Sequence, residues 1–159
     1  SGMVRPTTKE ELINEIRIRL KRGQTNLNDI DTSRITDMRD FFYTLDPEDQ
    51  NIDISLWDVH NVRDMSFMFY ACTNFNCDLS GWDVSNVECM DYMFRGCKKF
   101  NSDLSKWNVS NVKDMHNMFC NCSNFNSDIS NWDVSNVTTM DNMFGVSPLQ
   151  NNPPKWYKR

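Results

Sequence analysis

The sequence predicts an α/β solenoid: a right-handed stack of 25-residue strand–turn–helix units with a parallel sheet, capped by an N-terminal helix. Three observations lead there. The first is spacing. Trp57, Trp82, Trp107 and Trp132 recur every 25 residues, and so do Met65, Met90, Met115 and Met140, and Phe69, Phe94, Phe119 and Phe144. A unit this short cannot bury its own apolar face, so it must stack on its neighbours. The second is a change of apolar rhythm within each unit. Trp82, Asp83 and Val84 alternate, which suits a short strand with Trp and Val inward. Val87, Met90, Met93, Phe94 and Cys97 then fall within an arc of about 120° on a helical wheel. The third is that both ends depart from the repeat, as the ends of a stack must.

In chain order, Ser1 and Gly2 read as a cloning remnant before a natural Met3. Residues 3–28 form the helical cap. Thr8-Lys9-Glu10-Glu11 is a capping box, and Leu12, Ile16 and Leu20 line one face. Gly23 stops the helix. Residues 29–148 are the repeats, one degenerate and four regular. The degenerate unit runs from Asp31 to Met38 and places Phe41 and Phe42 in the Met-Phe slots. Asp46-Pro47-Glu48-Asp49 is a loop before the regular copies. Within these, Ser85-Asn86 is the turn between strand and helix, and residues 74–80 are the polar return, where Phe75 is a buried anchor. Residues 149–159 form a second cap, in which Leu149 to Trp156 echoes the Phe-to-Trp stretch. Pro153 and Pro154 there block further strand pairing.

Leu79-x-x-Trp82-x-Val84-x-x-Val87 is the leucine-rich-repeat frame, with Trp in the second Leu slot. The fuller pattern FNxDLSxWDVSNVxxMxxMFxxC resembles the repeat family of bacterial surface proteins related to BspA-like leucine-rich repeats. The resemblance covers residues 28–157. It implies a complete small member of that family, with surface, adhesion or interaction roles and no catalytic motif to carry over.

Composition narrows the function. The net charge is −5 over 159 residues, which excludes the basic stripe of a nucleic-acid binder. No apolar run approaches a membrane span. No export segment precedes the cap, so a start at Met3 implies a cytoplasmic protein. The alternative is a surface or secreted one, should a leader precede the chain. Six cysteines are present. Cys72, Cys97 and Cys122 recur in register, whereas Cys77, Cys89 and Cys120 do not, which suits buried free thiols rather than a disulfide framework. Cys120-Asn-Cys122 lacks the spacing of a zinc site.

The tryptophans and methionines read as core rather than as an exposed aromatic stripe or a Met-rich groove. Asp53, Asp78, Asp103 and Asp128 form one acidic ladder, and Asp58, Asp83 and Asp133, with Asn108, form another. Asx turns explain both, and calcium is the alternative. Asn61, Asn86, Asn111 and Asn136 form a ladder that satisfies backbone groups at the turn. His60 and His116 have no nucleophile or metal partner visible in the sequence, and no phosphate loop is present.

The expectation is therefore a monomeric, non-enzymatic protein-interaction module without cofactor or metal. Its partner-binding residues are Asp58, His60, Asp83, Ser85, Lys106, Asn108, Asn131 and Asp133, on the outward strand face with Leu56, Gly81, Ser110 and Ser135. That face differs between copies and is mildly acidic, suiting a basic or polar protein partner rather than nucleic acid or membrane. The alternatives are a calcium-dependent adhesion module and, more remotely, a hydrolytic enzyme using His60 with Asp58 or Asp83.

Overall fold

The structure is a computed structural model that describes residues 3–45 and 51–158. Asp46–Asp49, expected as a loop, and Ser1-Gly2, expected as a cloning remnant, lie outside the described residues. Among the described residues there is one α-helix, α1 (Lys9–Lys21), with a short 3-10 turn at Pro148–Gln150. The Thr8 side chain accepts the Glu11 N–H at 3.1 Å, and Glu11 Oε2 in turn accepts the Thr7 N–H. Gly23, at φ 78°, ends the helix in the left-handed region.

Among the described residues there is no β-strand, so the expected α/β solenoid with a parallel sheet is overturned. What remains is a stack of irregular coils, mostly turn and loop. They are joined by isolated parallel bridges that run Asp37 to Asp64, Cys89, Asp114 and Thr139. The reason is local. The extended piece Trp82-Asp83-Val84 lies between two tight turns, closed by Trp82 N–H to Leu79 O and Val87 N–H to Val84 O. No ladder of consecutive pairs forms across it. Side chains tie the coils together there instead.

The expected repeat helix is absent for a second reason. In Met90–Cys97 the N–H groups of Met90, Tyr92, Phe94 and Gly96 leave the coil altogether. They donate to the carbonyls of Asp114, His116, Met118 and Cys120 in the next coil, at 2.8–3.0 Å. The intervening N–H groups of Met93, Arg95 and Cys97 close turns onto residues three back. Tyr92 (φ 58°) and Gly96 (φ 81°) are left-handed, which no α-helix tolerates. The same two positions recur at Phe67 and Ala71, Asn117 and Asn121, and Asn142 and Val146. Three- and four-residue spacing of Met, Met, Phe and Cys thus arises from successive turns as readily as from a helix.

The core runs the length of the stack as aromatic columns. Phe42, Phe69, Phe94, Phe119 and Phe144 stack with centroids 5.2–6.0 Å apart and rings within 8° of parallel. Phe75, Phe100 and Phe125 form a second column. Trp57, Trp82, Trp107 and Trp132 are buried, as read from the sequence, and each of their indoles interlocks two coils. The N–H groups of Trp57, Trp82, Trp107 and Trp132 donate to the carbonyls of Leu27, Ile54, Leu79 and Leu104 in the preceding coil, at 2.9–3.1 Å. Each ring contributes about 2–3 kcal/mol through burial, and its polar tip gives a second hydrogen bond to a carbonyl that already closes a turn.

Candidate functional site

The residues read from the sequence as partner-binding lie in one row down the side of the stack, on the segments that flank each buried Trp. Asp58, His60, Asp83, Lys106, Asn108, Asn131 and Asp133 are exposed, and Ser85 is half-buried. Leu56 is 79% exposed beside them. The row is ordered by repeated Asx turns rather than by a sheet. Asp58, Asp83, Asn108 and Asp133 each accept the backbone N–H two residues on, from His60, Ser85, Ser110 and Ser135, at 3.0–3.1 Å. Bonds from the Ser85 and Ser135 side chain and backbone hold the Asp83 and Asp133 carboxyls below the ordinary range. The Asp58 side chain bonds the His60 ring and draws its pKa upward.

The second acidic ladder behaves alike. Asp53, Asp78, Asp103 and Asp128 accept the N–H groups of Ser55, Ser80, Ser105 and Ser130 at 2.9–3.0 Å. Every one of these carboxylates is turned onto its own loop. Among the described residues no group of three His, Cys, Asp or Glu side chains is placed to hold a metal ion. The Asn ladder works as expected: Asn61, Asn86, Asn111 and Asn136 donate to the carbonyls of Ser33, His60, Ser85 and Ser110 one coil back, at 2.6–2.7 Å.

Beside the row lies a groove of about 470 Å³ that sequence reasoning did not single out. Arg63, Glu88, Lys113 and Thr138 line it together with Asn86, Asn111 and Asn136. Glu88 and Lys113 pair across one coil step at 2.9 Å. A signal for it existed: the residue after Val62, Val87, Val112 and Val137 differs in every copy although the Asn-Val before it repeats.

The cysteines are free. Cys97 and Cys122 donate their thiols to the carbonyls of Phe69 and Phe94. Burial pushes Cys72 and Cys122 up to about 12, which removes them from thiolate chemistry near neutral pH. No helix of the described residues is long and apolar enough to cross a membrane.

A family model described as "Mycoplasma protein of unknown function, DUF285" matches residues 13–112 and, in an overlapping alignment, residues 44–156. Fitting one chain twice reflects its internal repetition. The match is to a different family from the BspA-like leucine-rich-repeat surface proteins, and with the absence of strands it overturns that resemblance and the leucine-rich-repeat description. No curated protein and no solved structure matches the chain.

Proposed function

The chain belongs to the DUF285 family, and from that premise we propose that it is a protein-binding module engaging its partner through the Asx-turn row and the adjoining groove. One observation carries this reading. A repeated frame holds different outward side chains at fixed intervals: Leu56, Gly81, Lys106 and Asn131 on the turn, and Arg63, Glu88, Lys113 and Thr138 in the groove. The inward positions barely change from coil to coil, so the frame is set by packing and the row is free to carry information. Asp58, Asp83 and Asp133 make the row mildly acidic, which suits a basic or polar partner. His60 stands with Asp58 on open surface, where nothing excludes water from a reacting group.

A photo-crosslinking residue at Lys106, compared with one at Lys98 after Cys97, tests the reading. Support is a single protein captured from Lys106 and not from Lys98, and lost in Asp83→Lys/Asp133→Lys. Equal capture from both positions, or capture indifferent to the charge reversal, rejects it.

A further inference from the structure

The last coil repeats the edge chemistry of its predecessors. In the coil before it, the N–H groups of Met115, Asn117 and Phe119 donate to the carbonyls of Thr139, Asp141 and Met143. The equivalent donors one coil on are Met140, Asn142 and Phe144. Among the described residues none of these three N–H groups has a hydrogen-bond partner. The tail serves their neighbours instead. Gln150 Oε1 accepts the Val146 N–H at 3.1 Å, and the Tyr157 hydroxyl accepts the Met143 N–H at 3.2 Å. Between these two supports lies a cleft of about 300 Å³ lined by Asp141, Asn142, Phe144, Gly145, Gln150 and Tyr157. Its surroundings are apolar. Val137 and Met140 are half-buried where Val112 and Met115 are fully buried, and Val146 is 69% exposed.

We infer that this edge binds a segment of a partner protein that takes up the turns of an interior coil, laid parallel to residues 138–146, with a basic side chain stacked on Asp141. The edge offers a row of donors at alternate residues, so its complement is a row of carbonyls at alternate residues, as Thr139, Asp141 and Met143 supply to the coil before them. The orientation follows the interface the edge continues, because every bridge between coils is parallel. Asp141 is exposed and has no ion pair among the described residues, so it selects a cation at the slot above it. Val137, Met140 and Val146 select apolar neighbours. This site uses different atoms from the row along the side of the stack, and either can stand without the other.

The probe is a fluorescein-labelled peptide with the sequence of residues 33–43, SRITDMRDFFY. Its arginine that corresponds to Arg39 holds the slot that Ser66, Asp91, His116 and Asp141 occupy in successive coils. The expected result is saturable binding that slows hydrogen exchange at Met140, Asn142 and Phe144. Asp141→Lys, a change to an exposed side chain, weakens binding about threefold. A peptide with aspartate in place of that arginine restores it. No binding, or binding that leaves those three amides unchanged, overturns the site. A charge reversal without effect overturns the basic partner.

Discussion

The two ends of the stack close by different means. At the N-terminal end α1 folds back on the first coil through Arg19 and Asp29, and Leu12 and Ile16 are fully buried in the core. Arg19, only 5% exposed, is held between Glu15 at 2.8 Å and Asp29 at 3.0 Å. At the C-terminal end the tail continues the tryptophan column through Trp156, whose indole donates to Ile129 O at 2.9 Å. Yet it leaves Val134, Val137 and Met140 half-buried. An amphipathic helix covers a broad apolar face with its own backbone already satisfied. An irregular tail has only single side chains to offer, and so meets the edge's needs one at a time.

The largest contrast comes from truncating one apolar side chain at each end. Ile16→Ala is expected to cost about 3 kcal/mol in urea unfolding, within the range for fully buried residues. Val137→Ala, at the half-open end, is expected to cost about 1 kcal/mol or less. Equal costs would erase the distinction between the ends. The next contrast lies along the tryptophan column. Trp107→Phe removes an indole N–H and leaves the buried Leu79 carbonyl with the Trp82 N–H alone, at about 1–2 kcal/mol. Trp156→Phe removes the same kind of bond at the half-buried end of the column, at about 1 kcal/mol or less. Urea midpoints of the two variants check the order.

Gly96→Ala probes the coils between the ends. The residue is left-handed at φ 81°, and an added Cβ would lie 3.3 Å from Ala71 Cα in the coil below. Thermal unfolding should show a loss of about 1–2 kcal/mol. Gly81→Ala meets nothing within 4 Å and should be nearly silent.

The smallest effect separates the ends by pH. Burial raises the Asp29 pKa, but the Arg19 hydrogen bonds and charge outweigh it, and the net shift is downward from 3.8. A carboxylate depressed in the folded state stabilises above its unfolded pKa and loses that contribution as pH falls through the folded value. Amides of α1 should therefore lose protection below pH 3.8 in the wild type. They should do so less in Asp29→Asn, where that acid-dependent part is absent. Identical acid profiles would contradict the role given to Asp29.

The inward residues were legible in the sequence because the 25-residue period exposes them directly, and Trp82, Val84, Met90 and Phe94 are all buried. The Asx turns were legible as well, since D-x-S recurs at Asp83 and Asp133 and its hydrogen bond is local. The backbone was not. Met90, Met93, Phe94 and Cys97 satisfy helical spacing, and only the left-handed residues Tyr92 and Gly96 break it. A tyrosine at positive φ carries no sequence signal, and Gly96 is the sole glycine at its position among the copies. Arg19 was missed because its partner Asp29 is ten residues away and is brought near only when the cap folds back.

The central claim is that alternate N–H groups in the Met–Phe segment reach across to the next coil rather than along a helix. Amide exchange at Phe67, Tyr92, Asn117 and Asn142 tests it most directly, because these occupy one position in successive coils. Phe67, Tyr92 and Asn117 should be strongly protected through Asp91, His116 and Asp141, whereas Asn142 should exchange about a hundredfold faster. Equal protection at all four would mean that their bonds lie within each coil, and would contradict the account.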